Sequence, residues 1–102
     1  MAILHIHNKS PGTSTSLNTC LRLAKRDSGI LLIEDAVYAA LAGNKTAPNI
    51  AGRMSELSFY LLINDATARG LIDNKLMPEF SRIDYHGFVQ ICTEYDRTVS
   101  WL

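Results

Sequence analysis

The stretch that decides the fold reads Ile30-Leu31-Leu32-Ile33-Glu34-Asp35-Ala36-Val37-Tyr38-Ala39-Ala40-Leu41-Ala42. Its first four residues are all apolar, which predicts a strand buried on both faces, and such strands belong to parallel sheets covered by helices. Two acidic residues follow, and then a charge-free run that stops at Gly43. Acids at the start and a glycine just past the end are typical of a helix. The stretch therefore predicts an α/β fold in which a buried strand leads into a short, almost wholly apolar helix.

Strands and helices are predicted to alternate along the rest of the chain. Further strands are predicted at residues 2–7, 57–63 and 81–83, and a tail strand or docked segment at 98–102. Helices are predicted from residues 13–15 to about 26, at 66–69 and, with Asp84 as its N-cap, to about 95. Two apolar arcs are predicted to face the core: Leu17, Cys20, Leu21, Leu23 and Ala24; and Tyr85, Phe88, Val89, Ile91, Cys92 and Tyr95. We expect one domain, residues 1–102, folded as a three-layer sandwich with a mostly parallel four- to five-stranded sheet and helices on both faces.

The composition narrows the class of protein. Ten basic and ten acidic residues cancel among 102 residues, which argues against non-specific binding to nucleic acid or to an anionic membrane. No apolar run approaches the roughly 20 residues that span a bilayer, and the first residues do not resemble a signal peptide. We therefore expect a cytoplasmic protein whose two cysteines, Cys20 and Cys92, are free thiols.

Cys20 is the candidate for chemistry. Its place in the apolar arc of the first helix suggests a small buried hydrophobic residue. The alternative is a sulfur-carrying thiol, which must be reachable and ionisable. Cys92 lies within the apolar arc of the last helix and is interpreted as a core residue.

Cofactor and metal sites have little support. His5 and His7 share a face of the first strand, but no nearby side chain completes the three ligands that a site needs. The glycines form neither a GxGxxG motif nor a P-loop. Glu34 and Asp35 could do acid–base work at the end of a buried strand, although charge at a helix N-terminus is the simpler interpretation. We expect no cofactor and no metal.

Three residues are candidates for an interface with another chain. A helix that is apolar all round must be covered on every side, and in so small a domain this suggests a second chain over Tyr38. Trp101 and Leu102 at the C-terminus suggest the same, since aromatic side chains are favoured at interfaces. The alternative for the tail is that Trp101 folds back on its own sheet.

Several motifs in order resemble the DsrH/TusB family of sulfur-relay proteins. They are Leu4-His5 with Asn8-Lys9-Ser10-Pro11, the stretch 31–40, Ala68-Arg69-Gly70, Ile83-Asp84-Tyr85 with Gly87-Phe88-Val89, and Ser100-Trp101-Leu102. The match spans the whole chain. It implies a DsrEFH-like fold and a dimer of heterotrimers with DsrE/TusD-like and DsrF/TusC-like subunits. Such a complex passes persulfide sulfur to a DsrC/TusE-like carrier, for sulfur oxidation or for 2-thiolation of the tRNA wobble uridine.

The resemblance also bears on Cys20. DsrH-like members carry a cysteine at this position and many TusB-like members do not, which places the chain closer to DsrH. The resemblance makes Cys20 a candidate sulfur carrier, in a subunit expected to have no activity by itself. The alternative is a structural subunit that only completes the complex. The sequence leaves open which of the two pathways the protein serves and what its sulfur donor is. It also leaves open whether the single chain forms homo-oligomers.

Overall fold

Strands and helices alternate along residues 2–71 and 73–101, the part of the chain that the computed structural model describes. The strands are β1 Ile3–His7, β2 Gly29–Leu32, β3 Ser58–Leu62, β4 Phe80–Ile83 and β5 Arg97–Trp101. The α-helices are α1 Ser16–Leu23, α2 Ala47–Ala51, α3 Ile63–Ala68 and α4 Tyr85–Glu94. Two 3-10 helices lie at Glu34–Ala40 and Asp73–Lys75. No helix of these residues has both the length and the apolar character to cross a membrane.

The sheet has the order β4-β3-β2-β1-β5, and each neighbouring pair is parallel. The central strand β2 is buried along its whole length, as an uninterrupted apolar strand requires. The predicted α/β class is confirmed, with five strands and helices on both faces. The predicted tail strand is β5, an edge strand beside β1; Leu102 lies outside the described residues.

The two faces of the sheet are covered unequally. The larger core cluster joins one face, here called the major face, to α1, α2, α3 and the first 3-10 helix. The opposite, minor face packs against α4 through a smaller cluster around Leu4, Leu31 and Ile91. A helix with its side chains is about 10 Å across, whereas five strands about 4.8 Å apart span roughly 19 Å. One helix cannot cover such a face, and apolar side chains stay partly exposed there.

The apolar stretch after β2 forms a 3-10 helix whose covering comes from its own chain. Ala36, Val37, Ala39 and Ala40 are 0% exposed, while Tyr38 is 36% exposed. The inference that a second chain must cover this helix is therefore wrong for its alanines and valine. Among the apolar residues of this helix, Tyr38 alone remains a candidate contact with a second chain.

The first helix is shorter than predicted. Its last residue is Leu23, and Ala24 is already extended. The Arg53 guanidinium accounts for this, because it donates to the carbonyl oxygens of Leu21 and Ala24 and so replaces a further helical turn. Leu23, the last residue of the helix, was predicted in the core but is 62% exposed.

The last helix begins as predicted. The carboxylate of Asp84 accepts a hydrogen bond of 2.8 Å from the backbone N–H of Gly87, which makes it the N-cap. Of the residues of this helix that were predicted to face the core, Ile91 alone is fully buried. Tyr85 and Val89 are 57% and 68% exposed, because they lie on the side of α4 that is turned away from the sheet. Cys92, interpreted as core, is only half-buried.

Candidate functional site

The carboxyl edge of the sheet gathers the polar residues that follow the strands. In open α/β sheets this edge is where sites are built. Glu34 and Asp35 follow β2, Asp65 lies in the helix after β3, and His7 ends β1. The sheet therefore brings the predicted acidic pair together with Asp65, which lies 31 positions after Glu34.

The acidic pair is held in a network that shapes the backbone. Asp65 accepts a hydrogen bond of 2.6 Å from the backbone N–H of Glu34, whose φ of +49° is unusual for a residue with a side chain. Arg69 donates from Nε to Asp35 at 2.9 Å and from another nitrogen to the Asp65 carbonyl oxygen at 3.2 Å. These contacts tie the start of the 3-10 helix to α3. The Asp65 carboxylate thus positions backbone and the Asp35 carboxylate pairs with Arg69. These roles favour the interpretation as charge at a helix N-terminus over acid–base work.

His5 and His7 pack against Trp101. The Trp101 indole donates from Nε1 to Nδ1 of His5 at 3.0 Å and stacks on His7 at 5.5 Å between ring centroids. His5 and His7 are 9% and 2% exposed. Trp101 thus folds back on its own sheet and remains only partly buried. Among residues 2–71 and 73–101, no three His, Cys, Asp or Glu side chains are placed to hold a metal ion.

Stability should fall on mild acidification because of His7. Burial, with a smaller contribution from the neighbouring His5, lowers the pKa of His7 from 6.5 to about 4. Below pH 6.5 the unfolded chain binds a proton at this imidazole that the folded chain does not. We expect the free energy of unfolding to drop by about 2 kcal/mol between pH 7 and pH 5.

Urea unfolding at the two pH values measures this drop. His7→Phe keeps a ring against Trp101 and should remove most of the dependence. His86→Gln, a change at an exposed histidine, should leave it in place. An unchanged pH dependence in His7→Phe would contradict the assignment.

Cys20 lies in the core between α1 and the major face and is 0% exposed. Burial raises its pKa to about 12, against a smaller lowering by the positive charge of Arg53. A thiol in this position is protonated and out of reach of a donor. The condition that a carrier must be reachable is not met in the chain alone.

Arg53 is the functional neighbour that sequence reasoning missed. It lies 33 positions after Cys20, and its guanidinium caps the helix that carries the thiol. Nothing in the pattern of residues 52–56 indicates that role. A cation close to a cysteine becomes visible only when α1 and the segment after α2 are placed together.

Known proteins match this chain over nearly its whole length. The sequence profile described as "DsrH like protein" matches residues 9–98. "Protein TusB" of Pectobacterium parmentieri is 31% identical over 99 residues, covering 97% of this chain and 100% of that protein. "Protein TusB" of Escherichia coli O1:K1 / APEC is 32% identical over 102 residues, with the same coverage.

Solved structures share the fold. The crystal structure of the ychN protein from E. coli superposes with a TM-score of 0.81 at 21% identity, covering 99% of both chains. MTH1491 from Methanobacterium thermoautotrophicum superposes with a TM-score of 0.70 at 11% identity, covering 98% of this chain and 97% of the other. At these identities the structures bear on architecture alone. With a profile match over residues 9–98 and relatives above 30% identity along the full length, the chain belongs to the DsrH-like family, which it shares with the TusB proteins.

Proposed function

We propose that this chain is a small subunit of a cytoplasmic sulfur-relay complex and contributes mainly by completing the assembly. The sister subunits are DsrE/TusD-like and DsrF/TusC-like, and the acceptor is a DsrC/TusE-like carrier. The TusB names of the relatives favour 2-thiolation of the tRNA wobble uridine over sulfur oxidation. The observation that carries the assembly role is the complete burial of Cys20.

The chemistry of sulfur transfer explains why that burial matters. A receiving thiolate attacks the outer sulfur of a donor persulfide; a new sulfur–sulfur bond forms, the donor's breaks, and the donor leaves as a thiolate. No net oxidation occurs and no cofactor is needed. The receiver must be ionised and accessible, and Cys20 with a pKa of about 12 at 0% exposure is neither. We therefore propose that the sulfur-bearing thiol of the complex belongs to a sister subunit.

Tyr38 is the proposed contact of the first 3-10 helix with a sister subunit. Its neighbours in the helix are fully buried within the chain, so the ring marks the one apolar point of that helix at the surface. Aromatic side chains on a rigid base are favoured anchors in protein interfaces. Trp101 and Leu102 remain proposed interface residues, Trp101 through the part of its ring that His5 and His7 leave exposed.

A second candidate keeps Cys20 as a sulfur carrier. The observation that favours it is Arg53, whose positive charge lowers the thiol's pKa against the effect of burial. Under this hypothesis the segment around Arg53 has to move away within the complex so that the thiol can meet a donor.

Replacement of Cys20 distinguishes the assembly role from the carrier role. In the assembled complex we expect Cys20→Ala to transfer sulfur from a persulfide donor to the acceptor within about twofold of the unchanged complex. Cys92→Ala is the matched control, because it removes the other thiol of the chain. The rate is followed by the mass of the acceptor, which rises by one sulfur atom per transfer.

Mass analysis of the Cys20 peptide completes the experiment. Under the assembly role this peptide gains no sulfur while a sister subunit does. A roughly tenfold loss of transfer in Cys20→Ala, together with an added sulfur on the Cys20 peptide, would assign the carrier role to this chain instead. Failure of the chain to bind any sister subunit would overturn the proposed function as a whole.

A further inference from the structure

Trp101 holds the end of β5 against the major face of the sheet. β5 is an edge strand, and β1 is its one neighbour. Three of its five side chains are exposed, and the two that are partly buried are Val99 and Trp101. Trp101 packs against the major-face core. The last residues of the strand are therefore held chiefly by backbone pairing with β1 and by the position of one indole ring.

The contact between Trp101 and His5 requires a neutral imidazole. The indole Nε1–H donates to Nδ1 of His5 at 3.0 Å, and a ring nitrogen accepts a hydrogen bond only while it carries no proton. A proton at Nδ1 would place two N–H donors against each other. The other imidazole of β1 differs, because His7 stacks on the indole with 18° between the ring planes, and a cation on that face is still attracted to the ring. Protonation of His5 is therefore the event that breaks the contact.

The groups around His5 offer a proton no counter-charge. Lys25 lines the same groove as His5 and Trp101, and within the described residues no acid lines it. Arg97 lies on the same face of the sheet, at the start of β5. From the α1 layer this face receives the protonated thiol of Cys20, and β2 contributes apolar side chains alone. The charge of a protonated His5 is thus least costly once the indole has left and water reaches the ring.

The start of β5 is held by contacts that involve no histidine. The Asp96 backbone N–H donates to the carbonyl oxygen of Ala2 at 3.0 Å, and the Ala2 backbone N–H donates to the Asp96 carboxylate at 2.8 Å. These two hydrogen bonds lie directly before Arg97, the first residue of the strand. Loss of the indole contact therefore frees the end of the strand while its start stays anchored.

We propose that Trp101 is a proton-sensitive latch: protonation of His5 releases the end of β5 from β1 while the rest of the sheet stays folded. Burial lowers the pKa of His5 from its usual 6.5, so the latched imidazole is neutral at pH 7. The released imidazole regains its ordinary pKa and binds a proton that the latched one does not. Release is therefore favoured as the pH falls below 6.5, by at most about tenfold per pH unit. The latch goes beyond the proposed function and does not depend on it.

Residue-resolved amide hydrogen exchange of the purified chain tests the latch. Exchange rates at pH 7 and pH 5, each divided by the intrinsic rate at that pH, give the opening constant of each amide. The amides of β5 that pair with β1 should open about tenfold more readily at pH 5 than at pH 7. At both pH values they should open at a lower free energy than the amides of β2, which report unfolding of the whole sheet.

Two histidine variants separate local release from global unfolding. His5→Asn keeps an oxygen near the place of Nδ1 but does not titrate, so it should remove the rise at β5 and leave the pH dependence at β2. His7→Phe should do the opposite, because the pH dependence of global unfolding is assigned to that imidazole. Trp101→Phe removes the donor, and it should raise the opening constant of β5 at pH 7 with little further rise at pH 5.

Three outcomes would overturn the proposal: an opening constant of β5 that is the same at pH 7 and pH 5, a rise that persists in His5→Asn, or amides of β5 that exchange only together with those of β2. Circular dichroism melting shows whether each variant is folded. If His5→Asn does not fold, Trp101→Phe takes its place, and an undiminished rise at β5 without the indole contradicts the latch.

Discussion

Gly29→Ala is expected to lower the free energy of unfolding by about 3 kcal/mol, at the upper end of the cost of overpacking a core. A β-carbon at this position would lie 2.4 Å from the Tyr95 hydroxyl oxygen and 2.7 Å from the ring carbon that carries it. Atoms do not approach so closely, so the ring or the strand has to move. The ring is held by the Tyr60 hydroxyl at 3.1 Å, and the strand is the buried centre of the sheet.

Urea unfolding at neutral pH measures the loss, and Gly52→Ala is its matched control. Gly52 has a helical φ of −67°, and a β-carbon there would meet its nearest atom at 3.4 Å. That change should be neutral or stabilise by up to about 1 kcal/mol. Tyr95→Ala removes the obstacle, so Gly29→Ala should cost far less in that background. Equal costs in the two backgrounds would contradict the clash.

Phe80→Ala is expected to cost about 3–5 kcal/mol, the range for deleting a buried aromatic side chain. Phe80 is 2% exposed and contacts Phe59 edge to face, with ring centroids 5.4 Å apart. It belongs to the edge strand β4, so its ring links that strand to the major-face core. The loss combines the removed apolar area with the cavity left behind.

Chemical denaturation of Phe80→Ala beside Tyr38→Ala tests this. Both changes delete an aromatic ring, but Tyr38 is 36% exposed, and its replacement should cost only roughly 1–2 kcal/mol. Similar losses in the two variants would show that the ring of Phe80 is not held in the core as described.

Local signals in the sequence were sufficient for the class of fold. Four apolar residues beginning at Ile30 predict a strand that is buried on both faces. The two acids before the next apolar stretch and the glycine after it predict a helix with defined ends. Asp84 as N-cap is a similarly local signal, because a cap and its partner lie three residues apart. The strand and the Asp84 cap are present in the structure because each depends on neighbours along the chain. The apolar stretch after β2 is instead a 3-10 helix that ends at Ala40, before the predicted stop at Gly43.

The errors have a common cause. The periodicity of α1 and α4 puts Leu23, Tyr85 and Val89 in an apolar arc, but it does not say which part of the arc faces the sheet, and all three lie in the part that does not. One helix lies on the minor face, so its outer apolar residues meet solvent. The end of α1 is decided by Arg53, about 30 positions away.

For the candidate site too, some features follow from the sequence and others only from the tertiary structure. An apolar stretch between two turn signals determined, by itself, a parallel α/β domain, and the motifs along the chain determined its family. Tertiary structure alone decided that Cys20 is sealed in the core, that Trp101 closes over His5 and His7, and that Asp65 holds the backbone of Glu34. Burial and pKa are set by atoms that come from distant parts of the chain, and no pattern within one segment carries that information.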